Sequence, residues 1–269
     1  MADDKHVVSR VLVPLDGTDE AQRALLPALR VAQTLDCPIE LVTVYDPVNG
    51  RWARDLDDIA ELLPYDQVEV AVVGAGWPGE VIADMAGENP GTLICMSAQH
   101  RDEVDRLVLG SVSAHLLRTS RAPTLVVGPG YELSRLPRRY ERLVVCLDGS
   151  DRAETALAVA TTWARLFATE VELVHVAFPR ETPGNLEALG AGLSRAADAL
   201  ADDGVQASAT LLTGDNPAAS IAELLQSRPA TLAITATHGS TGLTRLLLGS
   251  VTTELLTRSP TPVLVAPVT

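Results

Sequence analysis

The sequence predicts two tandem α/β domains, each a mainly parallel sheet with helices on both faces. Three observations carry this prediction. First, the chain repeats itself: Val11 to Thr18 recurs as Leu143 to Ser150, and Glu40 to Val44 recurs as Glu172 to Val176, both at an offset of 132 residues. From Ile82 to Pro123 the offset becomes 139, so that Arg106 to Val112 matches Arg245 to Val251. A period of this size is a duplicated domain rather than a solenoid unit. Second, each repeat alternates short apolar runs with helical patterns in the order βαβαβαβαβ, which calls for parallel pairing with crossover helices. Third, runs such as Val144–Leu147 are continuously apolar, as strands covered on both faces are.

The second repeat reads most clearly. Leu143–Leu147 is a strand ending at Asp148-Gly149. Ser150 can cap a helix with Asp151 and Glu154 in its first turn, matching the helix dipole. Ala156, Leu157, Ala160 and Ala164 continue it at helical spacing. Glu170–Ala177 is a strand. Leu186, Leu189, Leu193, Ala197 and Leu200 mark an amphipathic helix that stops near Gly204. Gln206–Leu212 is a strand and Pro217–Leu225 a helix, with Pro217 acceptable in the first turn. Ala230–Thr235 is a strand, a helix begins at Ser250, and Pro262–Pro267 closes the order. In the first repeat Pro27 is expected to kink the first helix. Asp46–Asp66, with Pro47, Gly50 and Pro64, is expected to be more irregular than its counterpart. The domains are placed at 1–128 and 142–269. Residues 129–141, with Pro129, Gly130 and Pro137 among charged residues, suit a linker.

Composition narrows the function. The chain has 269 residues, 46% of them apolar but only 3% aromatic, so aliphatic packing must supply the core. Its formal net charge of -14 argues against nucleic acid and anionic membrane as partners, since both need a basic face. Cys37, Cys95 and Cys146 show no paired spacing, which fits a reducing compartment. No apolar run reaches transmembrane length, and Met1 to Arg10 lacks the character of a signal peptide. A cytoplasmic location is expected.

The chemistry is expected where a glycine- and hydroxyl-rich turn, Thr235 to Ser250, joins a strand to a helix. Such a turn can wrap backbone N–H groups around an anion. Gly239 and Gly249 bracket nine residues, and Ser250 adds a hydroxyl at the helix start. Asp148 and Val176 sit at carboxyl ends of neighbouring strands, where ligands of open parallel sheets bind. Asp148 can accept from a ribose or base, Val176 can pack on the base, and the loop can take the phosphates.

Asp-Gly-Ser after the first strand, His-Gly-x9-Gly-Ser after the fourth and the closing Pro-Val-Leu-Val strand resemble the universal stress protein family. The resemblance covers both repeats. It implies a Rossmann-like, three-layer α/β/α domain with a five-stranded sheet, and in the ATP-binding subgroup a Gly-x2-Gly-x9-Gly-Ser/Thr loop. The second repeat reads Ala236-x2-Gly239-x9-Gly249-Ser250, so one glycine has become alanine. The resemblance thus implies an ATP site, with or without magnesium, at Asp148, Gly149, Val176, Ala236, His238, Gly239, Gly249, Ser250 and Val251. The first repeat reads Ser97-x2-His100-x9-Gly110-Ser111, with Glu103 and Asp105 in the loop. A triphosphate should be repelled there, although Asp16 survives. Family members dimerise through the last strand, which here implicates Pro123–Val127 and Pro262–Ala266. The tandem chain is therefore expected to form an intrachain pseudo-dimer, with a homodimer as a further option.

Plainer readings stand beside these. Asp148 can simply cap a helix, Val176 can be core, and His238 can make a structural hydrogen bond. His100 and His115 carry no metal-ligand spacing. Cys95 and Cys146 read as buried packing residues. Arg135, Arg138, Arg139 and Arg142 read as a solvated basic patch. Three functions remain in view: an ATP-binding regulatory protein of the stress response, with the first domain mainly structural; a slow ATPase; and a ligand-free interaction module. The first is expected. Efficient catalysis is not, because no nucleophile with a partnered base and no magnesium-holding carboxylate cluster is evident.

Overall fold

A computed structural model describes residues 8–44, 52–98, 110–147, 153–236 and 249–266. The chain divides into two compact domains between Pro129 and Gly130.

The first domain runs β1 (Arg10–Pro14), α1 (Asp19–Gln22), α2 (Leu25–Leu35), β2 (Ile39–Val44), α3 (Trp52–Leu62), β3 (Val68–Val73), α4 (Pro78–Glu88), β4 (Thr92–Ser97), α5 (Ser111–Thr119) and β5 (Thr124–Val127). All its strand pairs are parallel, in the order β3-β2-β1-β4-β5. The second domain runs β6 (Arg142–Cys146), α6 (Ala153–Phe167), β7 (Glu170–Ala177), α7 (Pro183–Asp202), β8 (Ala207–Thr213), α8 (Pro217–Gln226), β9 (Thr231–Ala236), α9 (Ser250–Arg258) and β10 (Val263–Ala266). Its strands are also parallel, in the order β10-β9-β6-β7-β8. In each domain one helix pair packs on one sheet face: α4 with α5, and α8 with α9. The central strands β1, β4 and β6 are buried along their apolar runs, as continuous hydrophobicity requires.

Pro27 acts upstream of where a kink was expected. It sits inside the first turn of α2, and the helix breaks before it, at Arg23 and Ala24, into α1 and α2. A proline ring collides with the carbonyl four residues back, which here belongs to Arg23. Arg23 and Ala24 bond instead to Glu20 and Ala21, three residues back. Within Asp46–Asp66, expected to be more irregular than its counterpart, α3 spans Trp52–Leu62 and buries Leu56, over 11 residues against the 20 of α7. Pro64 follows the helix, and Pro47 and Gly50 lie outside the described residues.

Residues 130–141 pack against the second domain. Tyr140 is fully buried, edge-on to Phe167 with ring centroids 5.9 Å apart, and Phe167 stacks on Trp163. Tyr131 is buried too, and the Gly130 N–H donates to the Thr257 carbonyl. Arg138 and Arg139 are exposed, as a solvated patch requires, and Arg135 and Arg142 are half-buried. Arg135 donates to the Leu225 and Gln226 carbonyls at the end of α8. Arg139 reaches the Ala168 carbonyl just past α6, and Arg142 pairs with Glu170. Helix C-termini leave carbonyls unbonded, and arginine satisfies several at once.

Cys95 is fully buried and Cys37 nearly so; burial, with the neighbouring Asp36 charge, pushes the Cys37 thiol up to about 11. Cys146, expected to be buried, is only half-buried because it lies where β6 meets the sheet's carboxyl edge. Desolvation still pushes its thiol up to about 12, so it is a poor nucleophile at neutral pH.

Candidate functional site

The strand orders locate one crevice per domain. β6 is flanked by β7 on one side and β9 on the other, so the chain winds outward in opposite directions from β6 and β9. Their carboxyl ends form the switch point at which open parallel sheets take ligands. The equivalent point in the first domain lies between β1 and β4.

Of the nine site residues expected from sequence, Asp148, Gly149, His238 and Gly239 lie outside the described residues, as do His100, Glu103 and Asp105. The others are placed around the crevice of the second domain. Ala236 is the last residue of β9, at the switch point. As a paired residue of β9, in register with Ala266, it has extended backbone, where φ is negative. Alanine therefore suits this backbone without strain, and a glycine is not required by the main chain. Ala236→Gly is accordingly expected to lower stability by about 0.5–1 kcal/mol through added chain entropy. Denaturant unfolding would check it.

Gly249 is the N-cap of α9, with φ -57° and ψ 147°. Its carbonyl accepts the first helical bond, from Thr253 at 2.9 Å. No side chain caps this helix, and its first turn carries no acid. Among the described residues no acceptor meets the amides of Ser250, Val251 and Thr252, the groups that a helix N-terminus leaves unbonded. α2, with Ala24 as N-cap, likewise lacks a side-chain cap and a first-turn acid, but four helices are finished differently. Thr18, Thr182 and Asn216 cap α1, α7 and α8 through their side chains, and α4 carries Glu80 in its first turn. α5 repeats the α9 arrangement, with Gly110 as an unassisted N-cap and no acid in its first turn. Ser250 and Val251 are exposed.

Val176 is 7% exposed and lies on the α8 side of the sheet, close to Gly214. It contributes a wall rather than an open surface. His175, beside it, is a residue the sequence reading did not single out. Its Nδ1 lies 3.0 Å from the Leu147 carbonyl, the last described atom group before Asp148. The Leu147 N–H meanwhile donates to the Val174 carbonyl at 2.8 Å. A histidine in an apolar strand, one residue before Val176, was the available signal.

In the first domain Asp16 is committed to its own turn. Its Oδ1 accepts from the Thr18 N–H at 3.1 Å and the Thr18 hydroxyl at 2.6 Å. Gly17 allows the turn with φ +81°, and Thr18 then caps α1. Ser97, which replaces Ala236, is buried with its hydroxyl turned toward the Val127 carbonyl at 3.4 Å. His115, expected to be ordinary, packs edge-on to Trp77 with ring centroids 4.5 Å apart. The matched residues in the second domain, Glu254 and Asn216, instead share a 2.8 Å hydrogen bond. Among the described residues, no group of three or more His, Cys, Asp or Glu could hold a metal ion, and no helix is long and apolar enough to cross a membrane.

Two parallel-sheet domains, each with a switch-point crevice faced by a glycine-capped helix, define a tandem α/β protein of the Rossmann-like class. The universal stress protein family profile matches residues 8–128 and 139–267, and the chain belongs to that family. A universal stress protein of Mycolicibacterium smegmatis is 28% identical over 95% of this chain and 96% of its own length. One of Mycobacterium tuberculosis strain H37Rv is 25% identical with the same coverage. A crystal structure of a universal stress protein from Archaeoglobus fulgidus superposes with a TM-score of 0.73, at 19% identity, covering 98% of both chains. This likeness is one of fold.

Proposed function

We propose that the second domain binds ATP in the crevice between β6 and β9, and that the protein is an ATP-binding regulator of the stress response. The observation that carries this is the start of α9. Gly249 starts the helix without a side-chain cap and without a first-turn acid, and the Ser250 and Val251 residues that follow it are exposed, at the carboxyl edge of the sheet. A helix N-terminus so prepared favours a phosphate through its hydrogen-bond donors and its dipole together. Asp148, Gly149, His238 and Gly239 complete the proposed site from the loops after β6 and β9. The first domain is mainly structural in this reading, because Asp16 serves the Gly17 turn and the loop after β4 carries Glu103 and Asp105.

Calorimetric titration of the full chain with ATP, with and without magnesium, tests it. Ser250→Asp places a carboxylate at the helix start and is expected to raise the dissociation constant by at least about tenfold. Ser111→Asp, the same change at the matched position of the first domain, is expected to leave binding unaltered. Both serines are exposed, so neither change should disturb folding. The reading fails if Ser111→Asp, and not Ser250→Asp, abolishes binding.

A further inference from the structure

We propose that Thr235 and Thr252 are positioning residues that strap the start of α9 to the end of β9 and so set the phosphate-facing amides. The inference rests on the nucleotide reading of the second domain. The two hydroxyl oxygens lie 3.1 Å apart, and both residues are only 7% exposed. Water does not compete for this bond, and removing either hydroxyl leaves its partner buried and unsatisfied. Thr235 is the penultimate residue of β9 and Thr252 the third of α9, so the bond joins the two sides of the segment 237–248. Ala236 and Ser250 are thereby held in a fixed relation.

The chain supplies its own comparison. The first domain keeps the strand, the glycine N-cap and the helix, but Met96 stands for Thr235 and Ser113 for Thr252. Met96 is 3% exposed and its thioether has no proton to donate. The strap therefore belongs to the domain that keeps Gly239 and is replaced in the one that has lost it. The packing of α9 through Leu255 and Leu256 is common to both domains, as Leu116 and Leu117 show. Apolar packing seats the helix on the sheet; a directional bond is needed to fix its register.

The test uses the full chain titrated with ATP and magnesium. Thr235→Val and Thr252→Val keep shape and remove one hydroxyl each, and each is expected to raise the dissociation constant about tenfold. The double variant should be no more than about threefold worse than either single one, since both remove the same bond. Thr252→Ser restores the hydroxyl and should return affinity to within about threefold of the parent. Parent-like affinity in Thr252→Val, or a serine variant as poor as the valine one, overturns the proposal. Should the parent chain take up no ATP, the nucleotide reading falls, and hydrogen exchange judges the strap alone. Faster exchange at Ala236 and Thr253 in Thr252→Val, reversed in Thr252→Ser, sustains it; unchanged exchange overturns it.

Discussion

Glu172→Ala is expected to destabilise the second domain by about 2–4 kcal/mol at neutral pH. Glu172 is 3% exposed at the amino end of β7. Its carboxylate accepts from the Thr210 hydroxyl at 2.8 Å and from Arg228 Nε at 3.2 Å, and Arg142 Nη1 stands 3.7 Å away. Truncation leaves Thr210 without its acceptor and two guanidiniums without their shared counter-charge. Arg228 is about a third exposed, so water screens part of the loss and the upper range for buried pairs is not reached. Burial opposes the charge on Glu172, but the hydrogen bonds from Arg228 and Thr210, with the charges of Arg228 and Arg142, outweigh it. Its carboxyl is held below the ordinary 4.5. A depressed carboxyl stabilises the fold above the ordinary value, and that contribution is lost as pH falls through the folded value. The stability gap between parent and variant should therefore be level above about pH 5 and close in stronger acid. Denaturant unfolding across pH 3 to 8 would show this; a gap that persists or widens in acid would contradict it. The first domain repeats the device more simply, with Arg10 paired to Glu40 and its Nε donating to Thr92 at 2.8 Å.

Tyr140→Ala should cost the same domain about 3–5 kcal/mol, the range for removing a large ring from a packed interior. Tyr140 is among the largest fully buried side chains and anchors the Phe167–Trp163 cluster in a protein with few aromatics. Denaturant unfolding followed by hydrogen exchange in β6 and α6 would read the loss. Leu133→Ala, on the same segment but 56% exposed, should change stability by no more than about 0.5 kcal/mol. Equal effects from the two substitutions would show that the segment is not packed as described.

Much of the architecture was legible because its signals are local or periodic. The duplication, the alternation of strand and helix, and the helix from Pro217 could all be read along the chain; the structure places them at the expected positions, within a residue or two. The segment 129–141 reads as a linker because Gly, Pro and Arg are conspicuous in it, while the buried Tyr131 and Tyr140 carry no periodic signal. Across Asp46–Asp66 the breakers are conspicuous in sequence, while the helix Trp52–Leu62 buries Leu56. At the site, the glycines and Ser250 were visible as spacing. The roles of His175 and of the Thr235–Thr252 pair were not, because each depends on a neighbour far away in sequence.

Sequence alone therefore settled family, repeat and the alternation of strand and helix, since burial on two faces and crossover connections impose patterns that a linear chain must display. Folding settled which polar groups are used up and which remain open. Asp16 is absorbed into a turn, Glu172 is neutralised by arginines from two segments, and among the described residues no side chain caps the start of α9. Hydrogen bonding is directional and short in range, so its outcome depends on tertiary neighbours that no periodicity encodes.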